Sequence, residues 1–331
     1  NNPFKFIPTN MRDLRIVFMG TPDFAVAGLK NLVENNYTVV GVITAPDRPA
    51  GRGQKIQQSA VKKYALSQDL KVLQPTNLKS EAFLEELKSL NANLHIVVAF
   101  RMLPEVVWQM PKYGTFNLHA SLLPDYRGAA PINWAIIKGE KVTGVTTFFI
   151  DEKIDTGAII LQEKVAISEE ENAGELHDRL MHLGSEVILK TIKLIAEGPV
   201  ETVAQPKQEQ LHTAYKLNRE NTRINWDQPA NQVYNHIRGL SPYPVAWTLF
   251  TNGDAQEHQL KVYKATLASV EESNELGNPS VGKIKVNHDK LYVSAEDGWV
   301  RLDEVQLSGK KRMPVKDLLN GFSIQSEAKT L

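Results

Sequence analysis

The sequence predicts an α/β chain, a mostly parallel sheet with helices on both faces followed by a smaller β-barrel. Three observations carry that expectation. Apolar, β-branched runs alternate with segments of helical spacing as far as Glu197, the mark of strand-helix-strand units feeding a parallel sheet. Gly198 and Pro199 then stop the last helix. Beyond the polar tract Pro206 to Gln210, short strands follow one another through Asn-Gly, Gly-Asn-Pro, Asn-His-Asp and Glu-Asp-Gly turns, the texture of an antiparallel barrel.

Taken in order, the chain from Leu14 reads L-R-I-V-F-M-G-T-P-D-F. This is an apolar strand, a turn at Gly20, and a helix over Phe24 to Glu34 with Ala25, Leu29, Leu32 and Val33 at helical spacing. Further strands are expected at Thr38 to Thr44, Lys71 to Leu73, Leu94 to Phe100, Thr115 to His119 and Val145 to Ile150. A helix over Ala173 to Glu197 repeats Leu176, Leu180, Leu183, Val187, Ile188, Ile192 and Ile195 at helical spacing and closes this part. In the second part, strands are expected at Val245 to Phe250, Leu260 to Ala265, Gly282 to Val286, Leu291 to Ser294 and Trp299 to Leu302. The domain plan is therefore a Rossmann-like domain over residues 11–200, a linker over 201–212 and an OB-like barrel over 213–331. Residues 1–10 show no helical or alternating pattern and are set aside as an upstream extension or an expression remnant.

Composition narrows the function classes. At 331 residues, 42% hydrophobic and 23% charged, the chain has length enough for two cores. Thirty-eight Lys and Arg balance 38 Asp and Glu, and from Glu201 to Leu331 the balance is 16 against 16. Any nucleic-acid contact must therefore come from a local patch. The absence of cysteine excludes disulfides, thiolate metal sites and cysteine nucleophiles. No window reaches about 18 consecutive apolar residues, and no basic flank precedes an apolar stretch at the amino terminus. A soluble, cytoplasmic chain with no membrane partner, acting as a monomer, is the expectation.

In an open α/β sheet ligands lie beyond the carboxyl ends of strands, which directs attention to the residues after Phe18, Ala99, Phe116 and Phe149. The densest polar cluster there is F-N-L-H-A-S-L-L-P-D-Y-R-G-A-A-P-I-N-W, from Phe116 to Trp134. Alternation along a strand sends Asn117 and His119 to one face, joining an amide donor to a base of near-neutral pKa. Further on, F-F-I-D-E-K-I-D-T-G offers Asp151 and Asp155, either of which could orient His119. Such a set suits acyl transfer, in which a neutral amine attacks a carbonyl, an oxyanion develops and a proton leaves the nitrogen. The competing structural reading makes Asn117 a turn residue, His119 a satisfied histidine and the two aspartates surface.

A second candidate is the loop P-D-R-P-A-G-R-G-Q-K, from Pro46 to Lys55, with cations at Arg48, Arg52 and Lys55. Its Pro and Gly content predicts mobility, and Lys62 and Lys63 add charge, so the loop is suited to a phosphodiester backbone, with a merely solvated loop as the alternative. The turn at Gly20 has a single glycine and does not match G-x-G-x-x-G; P-loop, H-E-x-x-H and G-x-S-x-G motifs are also absent. His177, His182, His212, His236, His258 and His288 are scattered, and solvated or capping roles are expected for them.

These residues, from about Leu14 to about Leu319, make the chain resemble the methionyl-tRNA formyltransferase family, within the 10-formyltetrahydrofolate-dependent formyltransferases. Asn117, His119 and Asp155 match that superfamily's catalytic set in type and spacing. S-L-L-P-D-Y-R-G from Ser121 and D-T-G from Asp155 match its two signature loops. P-D-R-P-A-G-R-G resembles the tRNA enzymes' insertion loop, with Arg52 at the position of its key arginine. R-G-L-S-P-Y-P-V-A-W from Arg238 resembles the segment leading into their barrel.

The resemblance implies formyl transfer from 10-formyltetrahydrofolate to the α-amine of methionine on initiator tRNA, with no metal. It implies His119 as the proton-transfer group, Asn117 as oxyanion donor and Asp155 as the carboxylate orienting His119, while Asp151 is structural. The α-amine ordinarily titrates at about 7.7 to 8.0, so a neutral fraction exists near pH 7. Ser121, Leu122, Leu123 and Pro124 are implied folate contacts, and Arg48, Arg52 and Lys55 tRNA contacts. One departure stands out: after V-V-A the family usually has Tyr-Gly, two apolar residues and Leu-Pro, whereas here Phe100, Arg101, Met102, Leu103 and Pro104 follow, one residue shorter and without the glycine. Phe100, Arg101 and Leu103 are nonetheless expected beside the folate. Rival readings are a formyltransferase for an amino sugar nucleotide or glycinamide ribonucleotide, against which the basic loop and second domain count, and an inactive binding module, against which the complete trio counts.

Overall fold

A computed structural model describes residues 10–331, so the expectation for residues 1–9 lies outside the described residues. Two compact units emerge. Of the described residues, the first unit takes those up to Arg127, Thr143–Val165 and His177–Thr213; the second takes Gly128–Val142, Ala166–Leu176 and Ala214–Leu331. The division is thus not one cut along the chain. Residues 128–142 join the second unit because the helix Pro131–Ile137 seats against the helix Ala230–Leu240. A Cβ at Gly239 would lie 2.6 Å from Ile137 Cγ1, so the small residue allows that close approach. The segment expected as a linker falls within the first unit as far as Thr213.

The first unit is built on a seven-stranded sheet. Across it lie Ile159–Ala166, Val142–Phe149, Thr115–His119, Leu94–Val98, Arg15–Gly20, Thr38–Ile43 and Val72–Leu73. The five strands from Thr115–His119 to Val72–Leu73 run parallel. Their interior residues, such as Val17, Phe18, Ile96, Val97 and Phe116, are buried, as expected where helices cover both faces. Val142–Phe149 runs antiparallel to Thr115–His119, pairing Phe149 with Phe116 and Thr146 with His119. This corrects the expectation that the residues after Phe149 lie at the carboxyl end of the parallel strands: reversal of this strand puts Phe149 at the opposite end from His119. Ile159–Ala166 was missed by the sequence reading because three of its eight residues, Gln162, Lys164 and Ala166, are exposed, blurring the apolar run.

The helix Ala173–Glu197 follows its expected bounds. Its Leu180, Val187, Ile188, Ile192 and Ile195 are buried, each such side chain stabilising by about 1.5–3 kcal/mol relative to exposure. A Cβ at Gly184 would stand 2.6 Å from Leu118 Cδ2, so the glycine lets this helix rest directly on the strand that carries His119. His95, on the strand beside it, is buried, and burial pushes its pKa down to about 4 against a smaller opposing effect of the Val107 backbone.

The second unit is an antiparallel barrel. Its strands follow the order Ile284–Asn287, Lys290–Ser294, Trp299–Leu307, Glu257–Leu267, Ala246–Thr251 and Lys329–Thr330. A bridge from Lys283 to Lys329 joins the first to the last and closes the ring. Leu260, Val262, Leu291, Val293, Val300, Leu302 and Val305 fill it. Arg238, buried on the helix Ala230–Leu240, donates to the carbonyls of Ser168 and Glu171, and burial lowers its pKa. His236 is also buried rather than solvated, its Nε2 3.2 Å from the Thr222 carbonyl, and burial lowers its pKa. Among the described residues no helix is long and apolar enough to cross a membrane.

Candidate active site

Strand alternation sends Asn117 and His119 to the same face of Thr115–His119, as the residue pattern requires. His119 is 8% exposed. Its Nε2 lies 2.8 Å from the Tyr126 carbonyl oxygen, which can only accept, so Nε2 carries a proton and donates. In the neutral ring Nδ1 therefore holds the lone pair, and Nδ1 faces Asp155 Oδ2 at 3.8 Å. That separation exceeds a hydrogen bond but places a carboxylate, itself 11% exposed, directly beside the atom that would gain charge. Asn117 Oδ1 is buried without a hydrogen-bond partner among the described residues, a costly arrangement unless a bound molecule completes it.

The Ser121–Tyr126 turn folds back to present the Tyr126 carbonyl. Ser121 Oγ donates to the Asp125 carbonyl at 2.7 Å. Thr146 Oγ1 donates to the Ser121 carbonyl at 2.7 Å and accepts from the Leu123 amide at 3.2 Å, while Gln162 Nε2 donates to the Leu123 carbonyl at 2.8 Å. Asp125 Oδ1 accepts from the His212 amide at 2.7 Å, and the His212 ring stacks on Tyr126 with centroids 4.9 Å apart. Ser121, Leu123 and Pro124 are buried and Leu122 half-buried, so the turn is a packed element rather than a free loop.

Of the two aspartates, Asp151 caps its own turn: its Oδ1 accepts from the Lys153 amide at 3.0 Å and from Thr156 Oγ1 at 2.7 Å. Asp155 reaches His119 instead. A Cβ at Gly157 would sit 1.6 Å from the Phe149 carbonyl oxygen, which is why the D-T-G loop needs glycine to lie so close to the strand end.

Phe100–Leu103 begins at the carboxyl end of the strand next to Thr115–His119, where Val98 pairs with Leu118. Arg101 donates to the Thr76 and Pro75 carbonyls at 3.1 and 2.8 Å and lies over the Phe100 ring. Burial first, and Arg48 second, lowers the Arg101 pKa. Leu103 packs in the core with Val97 and Val107. The basic loop is more ordered than its composition predicts: Arg48–Ala50 and Lys55–Gln57 pair as an antiparallel hairpin. Its base is pinned where Asp47 receives Lys62 Nζ at 2.7 Å and Gln74 Nε2 at 2.8 Å, bonds that also hold the Asp47 carboxyl below its ordinary pKa. Arg48, Arg52 and Lys55 are exposed.

The first unit thus brings Asn117, His119, Asp155 and the Ser121–Pro124 turn together. Sequence reasoning missed Arg127, Thr146, Gln162, Gln205 and His212. Only Arg127 stood in a recognised motif; Thr146, Gln205 and His212 are single polar residues in segments read as strand or linker, and Gln162 lies in the strand that the sequence did not reveal.

Comparison with known proteins defines the class: the formyl transferase pattern matches residues 14–192, and that of the formyl transferase C-terminal domain matches residues 216–323. The methionyl-tRNA formyltransferase of Flavobacterium johnsoniae is 58% identical over 319 residues, covering 96% of this chain and 99% of that one. That of Flavobacterium psychrophilum is 54% identical over 319 residues, with the same shares of each chain, 96% and 99%. The chain belongs to the methionyl-tRNA formyltransferase family. In fold it is similar to an N-formyltransferase from Helicobacter canadensis solved with folinic acid and dTDP-3-aminofucose, with TM-score 0.62 at 20% identity over 91% of this chain and 100% of that one.

Proposed function

We infer that the chain transfers the formyl group of 10-formyltetrahydrofolate to the α-amine of methionine on initiator tRNA, using His119, Asn117 and Asp155. The observation that carries the site assignment is the facing of His119 Nδ1 and Asp155 Oδ2 at 3.8 Å on the side of the strand that also bears Asn117. Bound 10-formyltetrahydrofolate supplies the formyl carbonyl. The residues fit the reaction: beside the oriented imidazole, the buried Asn117 Oδ1, without a partner among the described residues, is left to accept from an N–H such as that of the attacking amine.

Each residue then has a stated task. His119 takes the proton of the attacking amine at Nδ1, the nitrogen left with a lone pair by the bond to Tyr126, and gives a proton back to the folate nitrogen as its bond to the formyl carbon breaks. Asp155 balances the imidazolium so formed. The Asn117 amide donates to the oxygen on which negative charge develops. Ser121, Leu122, Leu123 and Pro124 hold the donor from one side, with Phe100 and Arg101 on the other and Leu103 as packed support. Arg48, Arg52 and Lys55 contact tRNA through phosphates, their exposure on a hairpin matching that use. The protein works as a cytoplasmic monomer, and sedimentation of the purified chain tests the latter.

The deciding experiment incubates the protein with 10-formyltetrahydrofolate and methionine-charged initiator tRNA and detects formylmethionine by mass spectrometry. Formylation is expected with wild type and near loss with His119→Ala. Absence of product while the folate still binds would reassign the amine acceptor.

A further inference from the structure

The carboxylate of Asp155 is useful only if its backbone is held, and that backbone is unusual. Asp155 has φ of +56°, a left-handed conformation that L residues adopt seldom and, apart from glycine, mostly as Asn or Asp. Two side chains from separate segments converge on its carbonyl oxygen. Arg127 Nε donates to it at 3.1 Å and Gln205 Nε2 at 2.7 Å. Gln205 Nε2 also donates to the Gly157 carbonyl at 2.9 Å, and its Oε1 accepts from an Arg127 terminal nitrogen at 2.7 Å. Both ends of the amide are therefore committed, which leaves Gln205 a single orientation.

The segment bearing Gln205 is itself fixed. Val203 forms a two-bond antiparallel bridge with Ile159, at 2.8 and 2.9 Å, so the chain runs along the outer strand of the sheet rather than hanging from it. Arg127 ends the turn that presents the Tyr126 carbonyl to His119. One guanidinium thus touches the backbone of the carboxylate while standing next to the residue that fixes the histidine.

We propose that Gln205, locked by Arg127, is a positioning residue that fixes the Asp155 carboxylate against His119. It touches neither substrate nor reacting atoms and acts through the backbone of the 155–157 loop. The proposal rests on the assignment of His119 and Asp155 to proton handling, so its test separates the two. Initial rates give kcat, and KM for both 10-formyltetrahydrofolate and methionyl-tRNA, for wild type, Gln205→Met, Asp155→Ala and the double variant, with Tm measured on each.

Gln205→Met keeps the length and removes every hydrogen bond. It is expected to lower kcat by about tenfold to hundredfold, the scale of a misplacement of about 1 Å in a reacting group, with each KM within about twofold of wild type. In the Asp155→Ala background the same substitution is expected to change kcat no further, because the group it positions is gone. An unchanged kcat in Gln205→Met, or an equal loss in both backgrounds, overturns the proposal. A fully active Asp155→Ala overturns the underlying site assignment and the proposal with it. Should Gln205→Met melt early, Gln205→Glu replaces it: it still accepts from Arg127 but cannot donate to the two carbonyls, and its kcat must fall with KM unchanged.

Discussion

The site around His119 and the hairpin of Arg48–Gln57 use polar residues in opposite ways. At His119 the flanking backbone and side chains are committed in advance: Nε2 to Tyr126, the turn to Thr146 and Gln162, and the Asp155 backbone to Arg127 and Gln205. On the hairpin only the base is tied, through Asp47, and the cations stand in solvent. The difference follows from what each does in the proposed function. Proton transfer depends on sub-ångström placement and gains from groups that need not reorganise. Attraction to phosphates is long-ranged and tolerates a moving charge.

Perturbing the fixed site is the strongest way to break this contrast. His119→Ala is expected to lower the rate of a single formylation turnover by about 100-fold to 10,000-fold, the range for a lost general acid-base group, with quenched-flow sampling as the readout. A rate within threefold of wild type would remove the distinction between the regions.

Next comes the buried neighbour. His95 has a pKa of about 4 in the fold against 6.5 when free. The unfolded chain therefore takes up a proton below about pH 6.5 while the folded chain does not until about pH 4, so acid favours unfolding across that window. The stability lost through this group by pH 4 is about 3 kcal/mol. Urea unfolding at pH 7 and at pH 4.5 should show His95→Gln losing less stability on acidification than wild type.

On the hairpin, Arg52→Ala should raise KM for charged tRNA about tenfold, leave KM for the formyl donor unchanged, and reduce the slope of log kcat/KM against log salt by about one. Equal kcat/KM for tRNA in the variant and wild type would take the hairpin out of substrate binding. The smallest effect is expected for Asp47→Asn, which weakens the anchor to Lys62 while leaving Arg48, Arg52 and Lys55 in place: about a threefold rise in KM for tRNA and no change in kcat, read from the same assay.

Much of the first unit was legible because its strands are buried on both faces and read as continuous apolar runs. Thr115–His119 and Ala173–Glu197 match their expected bounds. Val142–Phe149 was located but its direction was not, since an apolar strand reads alike in either sense. The helix Ala230–Leu240 was overlooked because its sequence, with Asn235, His236 and Arg238, is polar on average; tertiary contacts bury what composition would expose. At the site, residue types in a familiar spacing pointed to Asn117, His119 and Asp155. Gln205 and His212 gave no signal because their partners lie 50 and 87 residues away along the chain, at Asp155 and Asp125. Local pattern cannot register bonds of that span.

The seat of Gly184 on Leu118 has a consequence for how the site can vary. With no side chain between them, the strand of His119 lies directly against the helix at Gly184. His119 is thereby backed by the packed interior of the first unit. On the proposed function, loops beyond the strand end can accordingly be lengthened, shortened or recharged to admit another acceptor without disturbing that seat. Replacing Gly184 by a larger residue would press on Leu118 and so, from behind, on the strand that carries His119.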